Sequence, residues 1–295
     1  MNYEDFVCFV KNGMQERLGE EVQVQIHQIM KNNSVILDGL SVSERDSGIA
    51  PTIYVNDFYR EYCNGMTMPE ILDCIENIYH KSQVKLPFDT AFYADFEKVR
   101  SNLACRLINR ARNEELLKRI PHRPFLNLEM VVYYRFEDNM LGNGTILVYE
   151  SHRKSWRVTE EELFAAAREN TLRLQPEEFL SMDSVLSRYH MEDLAPEKKA
   201  QRQPMYVLSN KDGAFGAACI LFDSVLKKIG DRLGGNFWVL PSSIHECIIV
   251  PESIPMKKEE LQAMVREINR NEVDEEEYLS DEIYFYRRDL HRLSM

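Results

Sequence analysis

Val22-Gln23-Val24-Gln25-Ile26-His27, followed by Asn32-Asn33-Ser34-Val35-Ile36-Leu37, decides the fold class. Apolar side chains alternate with polar ones over the first six residues, the period of a strand with one buried face. Asn32-Asn33 supplies turn residues, and the second apolar run resumes a strand, so the pair reads as a β-hairpin. The same pattern returns twice. Leu126 to Phe136 faces Gly144 to Tyr149 across a glycine-containing turn, and Phe237 to Leu240 faces Glu246 to Val250 across Pro241-Ser242-Ser243. Hairpins outnumber clean β-α-β crossovers. The predicted class is therefore α+β, with mainly antiparallel sheets built from hairpins and packed with amphipathic helices.

Apolar residues at helical spacing fill the intervals. Tyr3, Phe6, Val7, Val10 and Met14 predict a helix over 3–18, with Gly19 as its C-cap. Thr67 with Glu70, and Thr159 with Glu162, are capping boxes that predict helices over 68–82 and 160–173. Phe92, Phe96, Val99, Leu103 and Leu107 predict a longer helix over about 90–118. Ser209 to Gly213 reads as a turn into a helix over 214–233, and Leu261, Met264, Val265 and Ile268 mark a helix after Pro255. Ile49 to Val55 reads as a third strand with Pro51 near an edge, Lys85-Leu86-Pro87 as a break, and 190–203 as a polar loop. The acidic stretch 272–282 reads as a solvated linker, although its charge could also mimic a nucleic acid. Two regions are expected, 1–122 and 123–295, which could also form one continuous domain.

The chain has 295 residues, 44% hydrophobic, enough to bury a core. Its formal net charge is −12, which repels phosphate backbones and anionic lipid, so nucleic acid is a disfavoured partner. No apolar run reaches the ~18 residues of a spanning helix, and the first residues lack the apolar core of a signal peptide. The six cysteines are scattered, with no C-x-x-C pair, and read as reduced core residues of a cytoplasmic protein. Phosphate-cradling glycine motifs, G-x-S-x-G, H-E-x-x-H and the EF-hand loop are all missing, so neither a cofactor nor a metal is expected.

Three local features could carry chemistry. Ser242, Ser243, His245 and Glu246 put two hydroxyls, an imidazole and a carboxylate between two apolar strands. They are the candidate catalytic residues of a hydrolase, provided a hydroxyl reaches the ring and a third group orients it. The plain structural alternative is that the serines satisfy the turn backbone. Lys211 and Gly213 lie in a small-residue turn before an expected helix, where free N–H groups could bind an anion or simply permit close packing. Arg106 and Arg110 head a basic series from Arg100 to Arg123. On a helix they would share a face, forming an anion or nucleic-acid site, or only a solvated surface paired with Glu97, Glu114 and Glu115.

The segments NNSVILDGL (32–40), IAPTIYVNDFY (49–59), YVLSN (206–210) and LPSSIHECIIVP (240–251) together resemble an uncharacterised bacterial family. It is a domain of unknown function of about this length, found in anaerobic gut bacteria. More distantly, 204–251 resembles a second uncharacterised family from related bacteria. The resemblance implies a cytoplasmic α+β protein and carries over no catalytic residue. The expected function is a non-enzymatic binding or regulatory protein, with a protein or small ligand as partner. The alternatives are the Ser243/His245/Glu246 hydrolase and the basic-helix anion binder.

Overall fold

The computed structural model describes residues 1–44, 52–82, 95–138, 142–188 and 204–295. The expected strand start at 49–51, the break at 85–87, Phe92 and the whole of the 190–203 loop lie outside the described residues. The chain divides into two compact units, Met1–Asp89 with Asp138–Gly142, and Thr90–Glu137 with Asn143–Met295.

The first unit opens with α1 (Tyr3–Leu18), capped by the Asn2 side chain, which accepts from the Asp5 N–H. Gly19 ends it at φ 82°, a conformation open to glycine without penalty. β1 (Val22–Met30), β2 (Ile36–Glu44) and β3 (Thr52–Tyr54) form an antiparallel sheet in that order. α2 (Asn56–Cys63) and α3 (Met68–Ser82) follow. At the start of α3, Thr67 donates from its N–H and Oγ1 to the Glu70 carboxylate at 2.9 and 2.6 Å. The alternation of β1 does what its period requires. Val24 is buried opposite Val42, and Ile26 sits opposite Leu40, packed by Phe6, Val10, Met14, Ile71 and Ile75.

The second unit begins with α4 (Phe96–Val99), β4 (Leu103–Asn109), α5 (Glu114–Leu117), β5 (His122–Phe125), β6 (Leu128–Asp138) and β7 (Gly142–Leu147). It continues through α6 (Glu150–Trp156), α7 (Glu160–Leu174), β8 (Glu177–Ser181), α8 (Met182–Arg188) and β9 (Tyr206–Asn210). After a 3-10 segment (Gly216–Leu221) come α9 (Asp223–Leu233), β10 (Phe237–Leu240), β11 (Cys247–Pro251), α10 (Lys258–Asn271), β12 (Tyr284–Arg287) and β13 (Arg292–Ser294). One sheet runs β13-β12-β10-β11-β9-β8. The other runs β4-β6-β5, with β7 also on β6. β10 and β11 pair antiparallel, with Val239 opposite Ile249, as the hairpin reading expects. The fold is α+β with antiparallel sheets. No helix among the described residues is long and apolar enough to cross a membrane.

Three expectations are corrected. Cys105, Cys219 and Cys247 are buried, but Cys8 and Cys63 are exposed and Cys74 is half-buried, so the cysteines are not all core residues. The helix over 90–118 does not form. Residues 103–109 are β4, in which six of seven side chains are buried. A strand buried on both faces loses its period-2 signature and becomes a continuous apolar run, which also satisfies a helical spacing. The helix over 214–233 starts only at Asp223. Before it, the chain takes a tighter 3-10 path whose six residues are all buried.

Candidate functional site

The antiparallel register sets the site. Arg106 of β4 lies opposite Val131 of β6, and Ala104 opposite Tyr133. Side chains alternate across a strand, so Arg106, Tyr133 and Arg135 share one face of this sheet. Against that face comes the 210–216 turn. Gly213 at φ 67° bends the turn, and Phe215 takes φ 59°, a left-handed conformation that costs a non-glycine residue about 1–3 kcal/mol. The strain aims the Phe215 ring. The Arg106 guanidinium lies 5.0 Å from the ring centroid, and Tyr133 meets the ring edge-on at 5.1 Å. The His245 ring stacks on it at 5.7 Å and 16°.

His245 is fixed at both ring nitrogens. Nδ1 accepts from the Phe215 N–H at 3.2 Å, and Nε2 lies 3.2 Å from Glu277 Oε1. An accepting Nδ1 leaves the ring proton on Nε2, directed at the carboxylate. Its backbone is held as well. The His245 N–H donates to Ser243 Oγ at 3.0 Å, and its carbonyl accepts from Ser209 Oγ at 2.8 Å. Glu277 reaches the site because 277–280 is stitched to the 241–244 turn. Ile244 N–H donates to Glu277 O, Leu279 N–H to Ser242 O and Ser280 N–H to Pro241 O, at 2.8–3.0 Å. The reading of 272–282 as a solvated linker is thereby corrected for this part, where Leu279 and Ser280 are fully buried.

The sequence candidates thus meet different fates. Ser243 Oγ serves the backbone N–H of His245 and not its ring. Ser242 is buried within the same turn. The carboxylate at His245 is Glu277, while Glu246 points elsewhere, its carboxyl pushed up by burial although its side chain keeps an exposed surface. No described contact joins a serine hydroxyl to the imidazole. The amides of the 210–215 turn are also occupied. Asn210 Oδ1 accepts from Asp212 and Ala214 N–H, Asn210 O accepts from Gly213 N–H, and His245 takes that of Phe215. Lys211 is exposed at its tip, with its N–H donated to Pro176 O. Lys211 and Gly213 therefore shape the turn without presenting free amides.

Arg106 and Arg110 separate once the strand replaces the helix. Arg110 lies past the end of β4. Its Nε donates to Glu129 Oε1 at 2.6 Å, and a terminal nitrogen donates to the carbonyls of Leu126 and Leu128 at 3.0 and 3.1 Å. His122 Nδ1 lies 3.1 Å from the other Glu129 oxygen, so this buried carboxylate is held on both sides. Arg106 has no such partner. Among the described residues it makes no hydrogen bond and no ion pair, and its Nε is shut off from solvent. Part of its surface stays exposed, yet burial pulls the guanidinium below the usual arginine range. The phenols of Tyr133 and Tyr149 beside it are neutral, and the Glu276 carboxylate acts on it only at a distance. On the same face Arg135 pairs with Asp212, and Tyr133 donates to Gln175 Oε1. Among the described residues no group of three His, Cys, Asp or Glu could hold a metal ion.

Gly216 is the close-packed point of the site. A Cβ there would stand 2.5 Å from the His245 carbonyl oxygen and 2.7 Å from the Asn210 nitrogen, both backbone atoms that cannot swing away. Gly216→Ala is expected to destabilise the second unit by about 3 kcal/mol, at the upper end of overpacking effects. Chemical denaturation reads the loss. An unchanged midpoint would mean that the turn is free to move.

The site is thus a ring-stacked cluster between two antiparallel sheets of an α+β protein, organised around one guanidinium without a counter-ion. The chain belongs to DUF5688, a family of unknown function, whose model matches residues 3–288. No curated protein and no solved structure matches the chain.

Proposed function

We propose that the protein is a non-enzymatic binding protein of the bacterial cytoplasm, which takes the anionic group of a small ligand, a carboxylate or a phosphate, on Arg106. The single observation that carries this reading is the state of that guanidinium, sunk against Phe215 with no acceptor for Nε. Withdrawing a charge from water costs several kcal/mol, whereas a cation–π contact returns about 0.5–2. A half-buried, unpaired charge among preorganised aromatic rings marks a functional-site candidate. Arginine offers the planar fork that carboxylates and phosphates match. The hydrolase alternative draws less support, because Ser243 Oγ is engaged by a backbone N–H and the imidazole by Phe215 and Glu277.

The test is a thermal melt of the purified chain against inorganic phosphate and a series of mono- and dicarboxylates. A ligand that binds only the folded state raises stability by about 2.7 kcal/mol at one hundred times its Kd. At least one anion is expected to raise the melting temperature saturably, and Arg106→Met to abolish the rise. Equal shifts in wild type and variant would contradict the proposal.

A further inference from the structure

The three-stranded sheet of the first unit ends in β1, and three observations fix which of its backbone groups point outward. Val24 N–H donates to Gln15 Oε1, and Val22 O accepts from Gln15 Nε2, both at 3.0 Å. Lys31 N–H donates to Val35 O at 2.8 Å, closing the hairpin on the inward side. Asp38, opposite Gln28, spends its N–H on Asn56 Oδ1 at 2.8 Å and its carbonyl on Val55 N–H at 2.9 Å, both toward β3. In an antiparallel ladder the N–H and C=O of one residue point the same way and alternate along the strand. The even-numbered residues of β1 therefore face away from β2. The Gln15 side-chain amide closes this edge at Val22 and Val24, acting as a one-residue stand-in for strand backbone. It leaves Ile26, Gln28 and Met30, whose outward groups meet no partner among the described residues.

Exposed edges are commonly defended by lysine, proline, a bulge or a covering element. From Val22 to Met30 there is no Asp, Glu, Lys, Arg or Pro, in a chain that is 28% charged. Beside the open rungs stands an uncovered apolar side chain. Ile36, paired with Met30, is 54% exposed, and it lies on the face that carries Val24 and Leu40 into the core.

We infer that this edge pairs with β1 of a second copy of the chain, antiparallel about a two-fold axis at Gln28. Gln28 then meets the same residue of the second copy, and Ile26 meets Met30. Each of these rungs exchanges both of its N–H···O bonds, and the apolar row Ile36-Met30 continues onto Ile26 and Leu40 across the axis. A second copy fits better than a charged peptide because the strip is neutral and self-complementary, while the rest of the chain carries the −12. The inference is independent of the Arg106 reading.

Sedimentation velocity of the full chain, from about 1 to about 100 μM, tests it across the range of weak, small interfaces. The expected result is a monomer–dimer equilibrium that strengthens with salt, as repulsion between two acidic chains is screened. Gln28→Pro removes the central donor, and Gln28→Lys and Ile36→Lys place charge in the strip. Each should weaken dimerisation at least tenfold. The two lysine variants change only exposed side chains and should melt as the wild type does, which separates lost pairing from lost folding. A monomer at every concentration in high salt would overturn the inference. So would a dimer that the three variants leave unchanged, which would place another surface at the interface.

Discussion

Arg110→Ala is expected to destabilise the protein by about 3 kcal/mol, the cost of leaving a buried carboxylate without its main partner. Glu129 is 4% exposed, on a β6 strand whose neighbours are apolar. Arg110 delivers its Nε to one oxygen and ties the Leu126 and Leu128 carbonyls with the same guanidinium. Leu126 itself sits at φ 55°, so the bond to its carbonyl also holds a strained turn. Without Arg110, His122 at 3.1 Å is the partner left to the charge among the described residues. Most of the loss should vanish in a Glu129→Gln background, because an amide leaves no charge behind. Urea unfolding of the four proteins in this cycle measures the coupling. A coupling below about 0.5 kcal/mol, the size of an exposed pair, would mean that the carboxylate is solvated.

Arg106→Met should act in the opposite direction on stability. Replacing a half-buried, uncompensated guanidinium by an apolar side chain of similar length is expected to stabilise the ligand-free protein by about 1 kcal/mol. The same change should remove anion affinity by roughly ten- to one-hundred-fold, since a charge-assisted hydrogen bond contributes about 1.5–3 kcal/mol. Stability gained while binding is lost distinguishes a functional arginine from a structural one. A structural cation–π arginine would lose stability on substitution and leave anion binding unchanged. Urea midpoints without ligand, and calorimetric titration of whichever anion shifts the wild-type melt, read the two halves separately.

The two arginines show what the sequence could and could not convey. Both were visible as candidates for anion binding, because basic residues clustered beside an acidic average stand out in composition. Their element was misread. LACRLIN at 103–109 is buried on both faces, so it carries no alternation to separate a strand from a helix. The hairpin at 22–44 and the helices at 3–18, 68–82 and 160–174 were legible because each has one buried face and each helix has a cap. The edge strands β5 and β8 were not, since HRPF and EEFLS are short and polar. His245 stood out from its neighbours. Its carboxylate Glu277 did not, lying 32 residues on in a stretch whose charge density resembles a linker. Phe215 gave no signal beyond the turn residues before it. Glu129 did give one, as the single acid within the apolar run LNLEMVVYY, where only a paired carboxylate is tolerated.

The most direct measurement is nitrogen-15 NMR of the arginine Nε–H groups, with the Arg106 resonance assigned by its absence from Arg106→Met, during titration with phosphate or the best carboxylate of the melting series. A saturable shift of that resonance, as the guanidinium takes up the anion, is the predicted result. A resonance that stays still through the titration, while other arginines move or none does, would contradict the assignment of Arg106 as the ligand's anchor.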